Sequence, residues 1–265
     1  MKTTVESLFK KKARGEKITM VSTYDYWSAK LCDEAGVDCI LVGDSLATVV
    51  KGEENTLSVT LDEIIYHARC VRRGAKRAFV IADMPFMSYQ VSLEKALENC
   101  GRVIKESGAE AVKLEGGKEL APLVERLTLA GVPVVGHLGF RPQSIHLTGR
   151  PRVVGRTEEE AKKLREDFKA LEEAGAFMIV LESVPSELAR ELSESASCLV
   201  IGIGAGRFVD GQVLVFHDLL GLFEDFKPKF VRRFLEGGKL IREALKRFKM
   251  EVERGSFPSE EESYG

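Results

Sequence analysis

Short apolar runs rich in β-branched residues recur along the chain. Each is followed by a turn and then by a charged segment with helical spacing. The runs are Ile18–Thr23, Cys39–Val42, Ala78–Ala82, Ala111–Leu114, Val132–Val135, Phe177–Leu181, Cys198–Ile203 and Val213–Phe216. Runs that are nearly all apolar, without alternation, predict strands buried on both faces, as in parallel sheets. Between them, Leu93–Glu106 stacks Leu93, Ala96, Leu97, Cys100, Val103 and Ile104 on one helical face. Glu158–Glu173 is strongly charged, with Ala161, Leu164, Phe168 and Leu171 as its inner stripe. Gly108, Gly131 and Gly175 stand where a C-cap glycine belongs. Eight such β-then-α units in 265 residues predict an α/β chain folded as one (β/α)8 barrel domain over 1–265. A doubly wound open sheet is the alternative, because periodicity does not register closure. Ile241–Glu251 reads as a final helix. The tail Arg254–Gly265 is rich in Gly, Ser, Pro and Glu, and either frays or docks on a neighbouring subunit.

Composition narrows the class. The 39 Lys+Arg and 41 Asp+Glu leave a net charge of −2, without the basic excess of a nucleic-acid binder. Hydrophobic residues at 44% and charged residues at 30% describe a globular chain. No apolar stretch approaches the ~18 residues of a membrane span, and Met1-Lys-Thr-Thr-Val-Glu6 lacks the apolar centre of a signal peptide. Cys32, Cys39, Cys70, Cys100 and Cys198 form no C-x-x-C pair, so they read as small buried thiols in a reducing cytosol. Side-chain amides are limited to Asn55, Asn99, Gln90, Gln143 and Gln212, which with abundant Lys, Arg and Glu fits a heat-adapted source.

The active site of such a barrel lies at the C-terminal ends of its strands. The second run leads into Asp44-Ser45, the third into Asp83, the fourth carries Lys113 and Glu115, the fifth leads to His137 and the sixth to Glu182. A single acid at a strand end is commonly a helix N-cap or turn former. Asp44, Asp83 and Glu115 on three adjacent strands are harder to read that way. Converging carboxylates repel unless a cation lies between them, and hard oxygen donors favour Mg²⁺ or another divalent ion. Lys113 and Glu115, two apart on a strand, share a face. Lys113 is then free to meet a substrate carboxylate while Glu115 faces the metal. His137 reads as a ligand, a donor behind the ligands or a structural residue. His67 reads as structural within a helix, and His146 falls in a loop. Gly202-Ile-Gly-Ala-Gly206 reads as a tight turn ahead of a phosphate cradle, since it is not G-x-G-x-x-G. Arg72, Arg73, Lys76 and Arg77 read as a solvated helix end.

Several strings are specific as an ordered set: Tyr24-Asp25-Tyr26, Leu41-Val-Gly-Asp44-Ser45-Leu46, Ala82-Asp83-Met-Pro-Phe86-Met87, Val112-Lys113-Leu-Glu115-Gly-Gly117, Gly136-His137-Leu-Gly139, Pro142-Gln143-Ser144, Gly202-Ile-Gly-Ala-Gly206 and Asp210-Gly211-Gln212. Over nearly the whole chain, this order resembles the ketopantoate hydroxymethyltransferase family. The resemblance implies a TIM barrel of the phosphoenolpyruvate/pyruvate-binding type. It implies transfer of a hydroxymethyl group from 5,10-methylenetetrahydrofolate to 3-methyl-2-oxobutanoate through a metal-stabilised enolate. The product is 2-dehydropantoate, on the route to pantothenate and coenzyme A. It implies Asp44, Asp83 and Glu115 at a Mg²⁺ site, Asp44, Ser45, Asp83 and Lys113 at the 2-oxo acid, and Glu182 as proton acceptor. It also implies a cytoplasmic homo-oligomer, typically a decamer, with small-molecule partners and neither nucleic acid nor membrane. Ala47-Thr48, Ser183 and Glu262 depart from residues common in the family, and bear on the pocket lining and the tail. The competing readings are a Mg²⁺-dependent 2-oxo-acid lyase or phosphonomutase on the same barrel, and a non-catalytic binding barrel. The first often uses a loop cysteine, which this chain does not offer. The second would fit a chain lacking Glu182.

Overall fold

The apolar runs become β1 (Ile18–Ser22), β2 (Cys39–Val42), β3 (Phe79–Asp83), β4 (Ala111–Glu115), β5 (Val134–Gly139), β6 (Met178–Glu182), β7 (Leu199–Ile203) and β8 (Gly211–Val215) in a computed structural model that describes residues 1–265. They pair in parallel in sequence order, and β8 returns to β1 with Ile18 opposite Gly211 and Ser22 opposite Val215. The barrel is therefore closed, and the open-sheet alternative falls.

The helices are α1 (Val5–Ala13), α2 (Tyr26–Glu34), α3 (Leu46–Val49), α4 (Leu61–Gly74), α5 (Leu93–Ser107), α6 (Ala121–Leu129), α7 (Ile145–Thr148), α8 (Glu158–Glu173), α9 (Ser186–Ser195), α10 (Phe216–Leu219) and α11 (Gly237–Glu253). Their starts follow from their caps. Thr60 and Glu63 form a capping box at α4, and Ser92 and Thr157 accept from the third backbone N–H of α5 and α8. Gly108 ends α5 in the left-handed conformation, as its position predicts.

Inside the barrel, Met20, Leu41, Phe79, Ile81, Val135, Met178, Val180, Leu199, Ile201 and Val213 pack as one buried cluster. Leu8 of α1 joins them and is fully buried. Around it, Lys2 donates to Ala78 O, Lys11 pairs with Asp38 and Lys12 donates to Cys198 O. These partners precede β3, β2 and β7, so α1 plugs the N-terminal mouth. Chemistry is left the opposite mouth.

Two local expectations change. β5 starts at Val134 and continues to Gly139, so His137 lies inside the strand. Gly136 and His137 interrupt the apolar run, and Pro133 has no N–H to donate to a ladder. His146 lies in the short helix α7, where a loop is expected. His67 lies in α4, its Nδ1 2.7 Å from Tyr24 O, as a structural histidine should.

The chain divides into two compact units, Met1–Phe216 and His217–Gly265. The first contains the closed barrel. In the second, Val231 is buried, and α11 exposes Leu240, Ile241, Leu245, Phe248 and Val252 along one side. No helix is long and apolar enough to cross a membrane.

Candidate active site

The C-terminal ends of β2 to β6 bring the predicted ionisable residues to one place. Asp44, Asp83, Lys113, Glu115 and His137 are all buried, and Glu182 is partly exposed. At the centre is the ammonium of Lys113. Its Nζ lies 2.7 Å from Asp83 Oδ1, 3.9 Å from Glu115 Oε1 and 3.2 Å from His137 Nδ1. The Asp83 contact is an ion pair off the angles of a hydrogen bond. Lys113 and Glu115 do share a face, and Lys113 already answers Asp83.

The backbone after β2 explains how two acids come side by side. Asp44 N donates to Asp83 Oδ2 at 3.0 Å. Gly43 permits the approach: a Cβ there would stand 2.8 Å from Ser45 Oγ, 2.9 Å from Ser22 Oγ and 3.3 Å from Asp83 Oδ2. Ser45 Oγ lies 2.7 Å from the buried hydroxyl of Tyr24.

The charges are tightly interdependent. Burial, then repulsion from Asp83 and Glu115, pushes Asp44 well above the usual carboxylate range. Burial also raises Asp83, against the pull of Lys113. For Glu115, burial is outweighed by His137 and Lys113, which hold it below its ordinary value. Burial and Lys113 oppose a charge on His137, yet Glu115 and Glu182 prevail and lift it to about 9. Burial opposes the Lys113 charge, and Asp83, Glu115 and Asp44 reverse that effect and keep it protonated.

Glu182 is not isolated from the acids, contrary to its solitary place on β6. His137 Nδ1 lies 3.3 Å from Glu115 Oε1, and its Nε2 lies 3.3 Å from Glu182 Oε2. One imidazole therefore spans the two carboxylates, which strand spacing alone does not reveal. The turn behind Glu182 is strained: Ser183 has φ +52° and is held by Ser183 N donating to Ile203 O at 2.8 Å.

Asp44 and Asp83 are oxygen donors that fit a hard divalent cation, and the crowded negative charge at Asp44 is what such an ion relieves. Asp83 Oδ1 and Glu115 Oε1 are buried without hydrogen-bond partners. No three carboxylate, imidazole or thiol groups are spaced as a ligand set, however. The predicted triad is not closed, because Lys113 stands between Asp83 and Glu115, and Glu115 faces His137.

Two further residues complete the site. Gln143, in a 3₁₀ turn over Pro142–Ser144, touches both Asp44 and Glu115; Tyr89 touches Gln143 and the Glu115 backbone. Neither is ionised at neutral pH, so a search for charged residues at strand ends passes them over. Two signals point to Gln143: the scarcity of amides in the chain and its place in the string Pro142-Gln143-Ser144. Gly202 belongs to β7, and only Gly204–Gly206 form the bend after it, where Gln212 Nε2 donates to Gly206 O. Burial pushes Cys32 to about 11 and Cys100 and Cys198 to about 12, as inert thiols require.

The fold is shared with solved structures. A phosphonopyruvate hydrolase solved with oxalate and Mg²⁺ superposes with a TM-score of 0.63 at 13% identity, covering 98% of this chain and 93% of that one. A 2,3-dimethylmalate lyase of the PEP mutase/isocitrate lyase superfamily gives 0.59 at 17% identity, covering 97% and 99%. In sequence, the 3-methyl-2-oxobutanoate hydroxymethyltransferase of Aquifex aeolicus (strain VF5) is 74% identical over 98% of both chains. The protein of that name from Clostridioides difficile (strain 630) is 50% identical over all of this chain and 96% of its own. The family model for ketopantoate hydroxymethyltransferase matches residues 2–260. On that match and those identities, the chain belongs to the ketopantoate hydroxymethyltransferase family.

Proposed function

We propose that this site removes the C3 proton of 3-methyl-2-oxobutanoate and joins that carbon to the one-carbon unit of 5,10-methylenetetrahydrofolate. The products are 2-dehydropantoate and tetrahydrofolate, and one water supplies the new hydroxyl oxygen. The observation that carries this reading is the pairing of a buried ammonium, Lys113, with a partly exposed carboxylate, Glu182, across a single imidazole. The 74% identical relative of the same name supports it.

The chemistry assigns each group a task. Lys113 offsets the carboxylate charge of the 2-oxo acid, and the Ser45 hydroxyl donates beside it. Asp44 and Asp83 would hold a divalent ion, Mg²⁺ by the hardness of their donors, whose Lewis acidity makes the C3 proton easier to remove. Glu182 takes the C3 proton, and His137 holds its carboxylate in place. After the carbon–carbon bond forms, the water oxygen bonds to the one-carbon unit as its bond to the folate nitrogen breaks, and the proton carried by Glu182 and one from the water go to the two folate nitrogens. Asp44 and Asp83 take no proton in this scheme.

The setting follows the family. Five free cysteines suit a cytoplasmic enzyme. The apolar side of α11 suits assembly into a homo-oligomer, with decamers the family's usual form, because an exposed stripe of this kind is rarely left to water.

The test is deuterium uptake at C3 of 3-methyl-2-oxobutanoate, followed by NMR with Mg²⁺ or EDTA, and then with methylenetetrahydrofolate added. Metal-dependent exchange followed by 2-dehydropantoate formation is expected. Exchange without product moves the reading to another electrophile. Folded, metal-replete protein that does neither overturns it.

A further inference from the structure

Gln143 is buried and spends both ends of its side-chain amide, with its backbone N–H, on the site. Its Nε2 donates to Asp44 Oδ2 at 3.0 Å and to Met84 O at 2.9 Å. Its Oε1 accepts from Tyr89 Oη at 2.8 Å and from Gln90 Nε2 at 3.4 Å. Its backbone N–H donates to Glu115 Oε2 at 3.0 Å. The amide has one orientation that satisfies this set. A carboxylate and a carbonyl both accept, so only the NH₂ end can face Asp44 and Met84.

Burying an amide costs free energy unless it is fully bonded, and an apolar side chain would fill the volume more cheaply. In a chain with five side-chain amides, this one reaches from the turn after β5 to acids that follow β2 and end β4. Tyr89 holds it from behind, its hydroxyl also accepting from Glu115 N at 3.1 Å.

We propose that Gln143, locked by Tyr89, is a positioning residue that orients the Asp44 carboxylate toward the cation and holds Glu115 against Lys113 and His137, so that Lys113 is set to meet the 2-oxo acid. It touches neither reacting atom, and Glu182 lies outside its contacts. Its loss therefore weakens binding and spares the proton-transfer step. The proposal rests on the reading that these acids form the binding side of the transferase site.

The experiment compares parent and Gln143→Met, which keeps the volume and removes the amide. Mn²⁺ affinity is measured by EPR of the unbound ion, and C3 exchange is resolved into KM and kcat. Partners standing behind metal ligands typically contribute 10–100-fold in affinity. The expected result is a loss of about tenfold or more in Mn²⁺ affinity, a parallel rise in KM and a kcat within severalfold of the parent. Tyr89→Phe, a milder change that keeps the ring packed, moves Mn²⁺ affinity in the same direction by a smaller factor. It carries the test if Gln143→Met does not fold. Unchanged Mn²⁺ affinity and KM in the folded variants overturn the proposal. A collapse of kcat with binding intact also overturns it. A parent that neither binds Mn²⁺ nor exchanges C3 overturns the underlying reading instead, and the parent measurement alone reveals that case.

Discussion

His137 Nε2 lies 3.3 Å from Glu182 Oε2 while its Nδ1 lies 3.3 Å from Glu115 Oε1. The ring thus joins the carboxylate beside the barrel mouth to the acids around Lys113. Glu182 is held without being buried among them, and a proton acceptor needs that access to substrate. Glu182→Gln keeps the size and the contact but removes the base. Deuterium exchange at C3 is expected to fall by about 10²–10⁴-fold, the usual contribution of one positioned base, while oxo-acid binding by calorimetry persists. Normal exchange in that variant removes Glu182 from the role.

Lys113 compensates Asp83 and Glu115 at close range in a buried setting. Lys113→Met leaves their charges uncompensated, and breaking a buried ion pair typically costs about 3–5 kcal/mol. The expected outcome is a lower unfolding midpoint in denaturant together with lost oxo-acid binding. A variant as stable as the parent would show that the acids are already neutral in its absence.

Gly139 ends β5 at φ +92°, and a Cβ there would stand 2.1 Å from Glu182 O. That carbonyl also accepts from Phe140 N at 2.8 Å, tying the two strand ends together. Gly139→Ala therefore carries a left-handed penalty of about 1–2 kcal/mol and a backbone overlap on top of it. Reduced stability with C3 exchange lowered beyond it is expected, because relief of the overlap moves the Glu182 backbone. Equal exchange rates in the folded variant and the parent would contradict this.

Asp218 is half-buried, and burial lifts its carboxyl to about 6 against the opposing pull of Arg233. An acid raised from 3.8 to about 6 binds more protons folded than unfolded between those values. Stability contributed by this group therefore declines as pH rises through that window, and the penalty is complete above it. Asp218→Asn is expected to raise the melting temperature at pH 7 and to leave it unchanged near pH 3.5. After allowance for solvent screening the gain is about 1 kcal/mol. A variant that melts below the parent at pH 7 would contradict the sign.

The exposed side of α11 offers a test of assembly. Leu245 and Phe248 are 61% and 55% exposed in the single chain. A stripe of this kind is expected to be covered by a second copy. Leu245→Glu with Phe248→Glu should move the sedimentation coefficient of the native protein to smaller species. An unchanged coefficient would place the interface elsewhere.

The strands were legible because burial on both faces leaves no polar alternation to confuse them. Boundaries slipped where the apolar run breaks for chemistry: the run Val132–Val135 stops short of Gly136 and His137, which belong to β5. Asp44, Asp83, Lys113, Glu115 and Glu182 were legible because a barrel gathers its strand ends. What they touch was not. Strand order does not say that Lys113 lies between two acids, that His137 reaches Glu182, or that the turn after β5 supplies a neutral donor to Asp44. Those depend on side-chain direction and on loops, which carry no periodic signal. The division at Phe216 coincides with a rise in charge, 20 of the 49 residues beyond it being Asp, Glu, Lys or Arg against 30% for the chain, but composition alone does not place the boundary.

Asp44 and Gln143 are 99 residues apart in the chain, and Tyr89 and Gln143 are 54 apart. Contacts of such separation form after local ones, because their loop entropy must be met first. During synthesis from the N-terminus, the ribosome releases Asp44, Asp83, Lys113 and Glu115 well before the amide that orders them, and Glu182 emerges later still. A growing chain therefore holds the acids without the arrangement that makes them reactive. On the roles proposed for Gln143 and Glu182, the activity requires synthesis through β6, so a product stalled before Glu182 is expected to show no C3 exchange.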